Sequence, residues 1–373
     1  MADLILPDLP PGSSVAVAMS GGVDSSVAAA LLVEAGHRVV GIMLRLWAEP
    51  GAASSNKCCT LGAIDDARDV ADHLGIPFSV LDAREAFYDA VVAPFLQASQ
   101  AGDTPNPCFG CNRNMRFGWL LERAQALGAD YLATGHYARV ARDAAGAFQL
   151  LRGLDPAKDQ SYMLHRLDQR QLAAAVFPVG VYPKPEVRRL AQRFGLSVAK
   201  RADSVDLCWT GEGGVAGFLD RHLPAEAMEA GPILHVDGRE LGRHAGLPRY
   251  TIGQRRGLGI AGGVPLYVSG RDRQRNALLL GEAEDLDCRS LALTDMCWTA
   301  GKAPDGPCRV EAQIRYRAPA QAGELRPSAD GQRATIRFDL PVRAAAPGQG
   351  LVAYLGDAVL GGGRIRMEEA TEA

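Results

Sequence analysis

The chemistry in this chain starts with its cysteines. Cys108 and Cys111 stand as C-x-x-C in Asp103-Thr104-Pro105-Asn106-Pro107-Cys108-Phe109-Gly110-Cys111-Asn112. Such a pair can be half a zinc site, a redox couple or two reactive thiols. Arg113 and Arg116 follow at what reads as a helix start, and nearby guanidinium groups and a helix start lower a thiol pKa. Pro105 and Pro107 are expected to exclude helix and central strand, leaving both cysteines on a rigid loop. Cys208 lies between Lys200-Arg201 and Thr210-Gly211-Glu212-Gly213-Gly214, so it is expected to be a functional thiol beside a mobile segment. Of eight cysteines in all, Cys288, Cys297 and Cys308 sit among apolar neighbours and read as inert core thiols, and Cys58-Cys59 reads as packing.

A second chemical element precedes them. Val15-Ala16-Val17-Ala18-Met19 runs into Ser20-Gly21-Gly22-Val23-Asp24-Ser25-Ser26, and then into an amphipathic Val27 to Glu34. This reads as strand, tight turn and helix start, which aims backbone N–H groups and the positive helix end at one point. Gly21 and Gly22 let the backbone approach a phosphate, Ser20, Ser25 and Ser26 add hydroxyl donors, and Asp24 can hold a metal ion or cap the helix. No Gly-Lys-Ser/Thr follows, so it is not a Walker A loop. The turn is expected to bind nucleotide phosphates.

The elements that position these groups alternate at first. Strands are expected at 15–19, 38–44, 78–82 and 131–134, and helices at 25–34, 61–74, 83–98 and 116–127. This is the pattern of a parallel sheet covered on both faces, with ligands beyond the carboxyl ends of its strands. After residue 215 short alternating runs at 231–236, 266–268, 277–280, 308–316, 334–338 and 350–355 read as antiparallel strands. Gly361-Gly362-Gly363 reads as a bulge or turn. The expected organisation is an α/β domain over 1–215, a small β-rich domain over 216–283 and a barrel-like one over 284–373. At 373 residues, 47% hydrophobic, the chain can bury a sizeable core. It has no membrane-length apolar run and no basic leader, so a soluble cytoplasmic protein is expected. Net charge is −3, but between Arg239 and Arg275 eight arginines face two acids, a stretch suited to phosphate contacts or a solvated face.

Ser-Gly-Gly-x-Asp-Ser on a first strand resembles the PP-loop of ATP pyrophosphatases. Taken with Thr104-Pro105-Asn106-Pro107, Ala133-Thr134-Gly135-His136-Tyr137, Lys158-Asp159-Gln160-Ser161-Tyr162, Ser204-x-x-x-Cys208, Thr251-Ile252-Gly253-Gln254-Arg255-Arg256-Gly257, Arg315-Tyr316-Arg317 and Pro347-Gly348-Gln349, the chain resembles the bacterial tRNA-specific 2-thiouridylases over essentially its whole length. That resemblance implies adenylation of the wobble uridine of tRNA (position 34) by ATP with Mg²⁺, then displacement of AMP by sulfur. By the same resemblance Ala18, Met19, Ser20, Gly21, Gly22, Val23, Asp24 and Ser25 hold the ATP phosphates, Leu44 meets adenine and Gly135 lies near the nucleotide. Asn106, Pro107 and Cys108 line the target-base pocket. Lys158, Asp159, Gln160, Arg315 and Tyr316 contact tRNA, and His136 and Gln349 help recognise it. Cys111 matches the nucleophile and Cys208 the thiol that carries a persulfide from a sulfur-relay protein or cysteine desulfurase. The family's tRNAs are those for Lys, Glu and Gln.

The chain departs from the pattern at one place: many members have Asp where Cys108 stands. Cys108, Cys111 and Cys208 together are the ligand number of a [4Fe–4S] cluster with one open iron, the device of the cluster-dependent thiolases that such variants resemble. Persulfide relay and cluster both remain open at this point. A PP-loop synthetase acting on a small acid would have no use for three placed cysteines, and a binding module none for the phosphate turn. Pyrophosphate release that depends on tRNA separates the three readings.

Overall fold

A computed structural model describes residues 9–49, 61–201, 207–260 and 263–366. Cys58, Cys59 and residues 202–206, which include Ser204, lie outside them.

Strands β1 (Ser14–Ala18), β2 (Arg38–Arg45), β3 (Phe78–Asp82), β4 (Tyr131–Ala133) and β7 (Ala175–Val176) form a parallel sheet in the order β3-β2-β1-β4-β7. Its sequence is apolar because both faces are covered. Val15 and Val17 of β1 pack into one core with helices α1 (Val23–Glu34) and α2 (Leu61–Leu74), while Ala16 and Ala18 pack into the other. α1 is not the amphipathic helix its sequence suggests. Val27 to Leu32 are all buried, so its alanines serve close packing rather than a solvent face.

Two long helical stretches follow β3: α3 over residues 84–100 and α4 over 107–126, each containing a π-helical section, Tyr88–Val92 in α3 and Cys111–Leu120 in α4. The expected rigid loop at Cys108 and Cys111 is therefore corrected. Pro107 sits at the first helical position, where a missing N–H costs nothing, and the Asn106 side chain caps the start by accepting from the Cys108 amide at 3.1 Å.

Short helices α5 (Ser161–Leu164) and α6 (Gln169–Ala174) precede β7, and α7 (Lys184–Arg193) and α8 (Gly214–His222) follow it. Strands β8 (Gly231–His235), β9 (Glu240–His244), β10 (Tyr267–Asp272) and β11 (Ala277–Gly281) make a four-stranded sheet ordered β10-β11-β8-β9. It is not wholly antiparallel as expected, since β11 and β8 pair in parallel. The last part holds β12 (Asp287–Trp298), β13 (Cys308–Gln313), β14 (Gln321–Pro327), β15 (Ala334–Arg343), β16 (Gly350–Leu355) and β17 (Ala358–Arg366), and pairing of β12 with β17 closes a barrel. Gly361–Gly363 form no turn. They pair in register with Leu351–Ala353, and a Cβ at Gly362 would lie 2.5 Å from the His165 ring, so the strand is bare where the α/β domain presses on it.

The sequence reading has no place for the hairpin β5 (Ala138–Arg142) and β6 (Phe148–Arg152). It belongs in sequence to the α/β domain, yet β6 joins β17 through Leu151 and Ala358 and so extends the barrel sheet. Buried side chains reinforce the seam. Tyr162 Oη donates to the Gly350 carbonyl at 2.9 Å, and Gln169 Nε2 donates to the Thr299 carbonyl at 2.6 Å. No helix among the described residues is long and apolar enough to cross a membrane.

Candidate active site

The carboxyl ends of β1 and β4 meet at the sheet's switch point, and the glycine turn and Thr134-Gly135-His136 both lie there. Gly21 has φ of +70°, and a Cβ on it would stand 2.5 Å from the Ala63 carbonyl oxygen. A Cβ on Gly135 would stand 2.6 Å from the Ser25 amide nitrogen, so this second loop lies directly on the first turn of α1. The serine hydroxyls are committed to the turn itself: Ser25 Oγ and Ser26 Oγ donate to the Gly22 carbonyl at 3.2 and 2.9 Å, and Ser25 Oγ accepts from the Ser20 amide at 3.2 Å. What the turn offers an anion is backbone: the first-turn amides of α1, which have no intrahelical acceptor. Arg201 braces it, donating to the Gly21 carbonyl at 2.8 Å and pairing with Asp66.

Asp24 is neither a helix cap nor an open metal ligand. Lys184 Nζ lies 2.7 and 2.8 Å from its two carboxylate oxygens, and Tyr137 Oη donates to it at 2.7 Å. Gly22 takes the capping position instead. No motif marks Lys184 in the sequence, although one signal is there. It is one of five lysines in the chain and stands between Pro183 and Pro185, which force a helix start and so fix where its side chain leaves.

The π-helical section of α4 explains how Cys111 reaches the nucleotide side. With hydrogen bonds from i to i+5, residues five and nine apart share a face that an α-helix would split. Cys111, Arg116 and Leu120 accordingly line one narrow pocket with Ala18, Met19, Ser20, Met43 and Leu44. Cys108 behaves otherwise. Burial, and then the neighbouring Cys111, push its thiol pKa up to about 12 against the opposing pull of Arg116. The expected lowering by guanidinium and helix start does not hold for Cys108, which is a protonated thiol at neutral pH.

Cys208 and Cys111 both pack against one buried cluster built on Phe87, Phe95, Trp209 and Phe218, which brings the two ends of the thiol set to a common wall. The expected mobile stretch after Cys208 is a turn leading into α8, with Trp209 and Thr210 buried. Arg221 on α8 holds Glu49 through two bonds of 2.6 and 2.7 Å, and Glu49 Oε1 lies 3.0 Å from His222 Nε2. Among the described residues no three His, Cys, Asp or Glu side chains are gathered closely enough to hold a metal ion.

The remaining expected residues fall into two places. Asn106, Pro107 and Gln349 line a cavity of about 230 Å³ between α3, the start of α4 and the barrel. Gln349 Nε2 donates to the Thr104 carbonyl at 2.9 Å, tying Pro347-Gly348-Gln349 to the Thr104–Pro107 loop. Asp159, Tyr316 and Arg317 line an open groove of about 260 Å³ where the 156–159 loop meets the barrel. Arg315 is exposed and Lys158 half-buried at this rim. Asp159 and Gln160 have internal work: Asp159 accepts from the Gly153 and Ser161 amides at 2.9 and 3.0 Å, and Gln160 Oε1 accepts from the Tyr137 amide at 3.0 Å. His136 Nδ1 lies 2.7 Å from Thr134 Oγ1, and burial, then Arg116, push its pKa down to about 3, so it is a neutral imidazole.

Fold and site together define a PP-loop protein of the nucleotide-using α/β class with two β modules attached. Three family models match in order: the tRNA methyl transferase HUP domain over residues 13–212, the tRNA methyl transferase PRC-barrel domain over 216–282 and the aminomethyltransferase beta-barrel domain over 288–365. The tRNA-specific 2-thiouridylase MnmA of Moorella thermoacetica is 49% identical over 352 residues, 94% of this chain and 98% of that protein. Its namesake in Magnetococcus marinus is 47% identical over 94% of this chain and 98% of its own, and that of Roseiflexus castenholzii 45% over 95% and 99%. The chain belongs to the tRNA-specific 2-thiouridylase family.

Proposed function

We propose that this chain is an ATP-dependent tRNA-uridine 2-sulfurtransferase acting on the wobble uridine of tRNAs of the Lys, Glu and Gln type. The observation that carries the reading is the shared pocket, which sets Cys111 and Arg116 beside Ser20 of the phosphate turn and Leu44 at the end of β2. ATP enters as its Mg²⁺ complex, and the turn amides with the α1 N-terminus take the charge of the departing pyrophosphate. The uridine 2-oxygen attacks the α-phosphorus and pyrophosphate leaves. The target base has to leave its stack to reach this point, and in this reading Asn106, Pro107 and Cys108 at the start of α4 receive it.

Sulfur arrives as a persulfide on Cys208, loaded by an upstream relay protein or cysteine desulfurase. Its terminal sulfur attacks C2 and AMP departs. The Cys111 thiolate then attacks Cys208 Sγ, the S–S bond to the base breaks with its electron pair going to the new thiouridine sulfur, and a Cys111–Cys208 disulfide forms. A dithiol of the donor system reduces that disulfide.

Anaerobic purification with iron and sulfide analysis, followed by single-turnover thiolation of tRNA with ATP, tests this. Iron-free protein that thiolates from a persulfide donor, with Cys108→Ala active and Cys111→Ser and Cys208→Ser inactive, supports it. Activity that tracks bound iron and vanishes in Cys108→Ala overturns the relay in favour of a [4Fe–4S] centre. Pyrophosphate release without tRNA would point instead to a small-acid synthetase.

A further inference from the structure

The cavity beside Asn106 and Pro107 has a second character. Arg166 and Arg364 both line it, together with Asn114 and Gln349. Arg364 is loosely held, by Asp103 at 3.5 Å and Asp295 at 3.6 Å. No carboxylate among the described residues comes within ion-pair distance of Arg166, and its Nε is buried without an acceptor. Burial, and then the charge of Arg113, lower the Arg166 pKa, with Cys297 and Asp295 acting in the other direction and Arg364 adding a smaller lowering. Neighbouring like charges are unfavourable, and an oxyanion in the cavity that Arg166 and Arg364 line relieves their repulsion. Guanidinium groups suit phosphate because their paired donors match its oxygens.

We propose that this cavity is a phosphodiester site in which Arg166, with Arg364 beside it, takes a backbone phosphate of the tRNA strand whose uridine reaches Asn106 and Pro107. The inference rests on the tRNA reading above. Size favours nucleic acid over a free anion: about 230 Å³ is roomy for phosphate alone, and Val91, Pro94 and Phe95 offer an apolar wall to a sugar.

The test uses full-length protein and a tRNA transcript, with affinity measured by fluorescence anisotropy across a KCl series. Arg166→Gln is expected to bind tRNA about tenfold more weakly, as befits loss of a charged hydrogen-bonding partner. The slope of log affinity against log salt should become shallower by about 0.7, the value for one single-strand phosphate contact. Arg166→Lys should keep the slope and lose part of the affinity. ATP affinity should be unchanged in both. In unmutated protein, tRNA but not ATP should protect Arg166 from phenylglyoxal, a readout that holds even where a variant folds poorly. Unchanged affinity and slope in Arg166→Gln, or no protection by tRNA, overturns the proposal. Protection by inorganic phosphate without protection by tRNA assigns the cavity to a free anion and equally overturns it. Unmutated protein that binds no tRNA at all would sink the tRNA reading itself, which is a different result.

Discussion

Replacing Lys184 with methionine keeps most of its apolar stem and removes the charge that neutralises Asp24. The ammonium is nearly enclosed, with 9% of its side chain exposed, and it bonds both carboxylate oxygens. Breaking a fully buried pair costs about 3–5 kcal/mol, but Asp24 keeps 30% of its side chain exposed and retains the Tyr137 hydroxyl, so about 2 kcal/mol is a fair figure here. In apo protein water can screen the bared carboxylate. An arriving triphosphate displaces that water and meets a like charge in the first turn of α1. The loss should therefore show in ATP affinity, by about 30-fold at about 1.4 kcal/mol per tenfold. Isothermal titration with a non-hydrolysable ATP analogue reads it, with the melting temperature as the folding control. The discriminating variant is Lys184→Met with Asp24→Asn, which removes both charges and should recover about tenfold of the loss. A double variant that binds no better than Lys184→Met would refute the reasoning, since Lys184 would then act on the nucleotide directly and not through Asp24.

Other outcomes follow from the same geometry. Gly135→Ala should cost about tenfold or more in ATP affinity while sparing tRNA binding, because its Cβ meets backbone of α1 at 2.6 Å; equal nucleotide titrations for variant and parent would count against the contact. Cys111→Ser and Cys208→Ser should abolish thiolation yet still release pyrophosphate in the presence of tRNA, as followed by a coupled phosphate assay. His136 and His165 are both held neutral by burial, with pKa values of about 3 against an ordinary 6.5. Their contribution to stability is thus complete above pH 6.5 and declines as pH falls toward 3, by at most about 1.4 kcal/mol per pH unit for each. Melting temperatures between pH 7.5 and 5 should fall, and His165→Gln should flatten the fall. Iodoacetamide labelling of Cys108, mapped by mass spectrometry, should rise steeply only well above pH 9, as a thiol pushed up to about 12 requires.

The phosphate turn was legible because everything that makes it is local: an apolar strand, two glycines and a helix start within residues 15–34. The alternation of strand and helix gave the parallel sheet for the same reason. Lys184 was illegible as a site residue because its partner lies 160 positions away, and nothing in either segment announces the pairing. Pro105 and Pro107 misled because proline has opposite meanings inside a helix and at its first position, and only Asn106 before Pro107 marked which applied. The π-helical section is invisible to periodicity arguments, which assume an α-helical turn, under which Cys111 and Arg116 face apart. The hairpin at 138–152 had a readable turn in Asp143-Ala144-Ala145-Gly146, but its strands are short and half polar, and its barrel partner comes two hundred residues later.

That hairpin bears on how the protein can change over time and under an engineer's hand. A module joined by a tether can be exchanged or can wander; here a strand of the first module is woven into the fabric of the last. Moving the barrel means breaking the Leu151–Ala358 bridge, so a chimera is best given residues 138–152 from the same parent as its barrel.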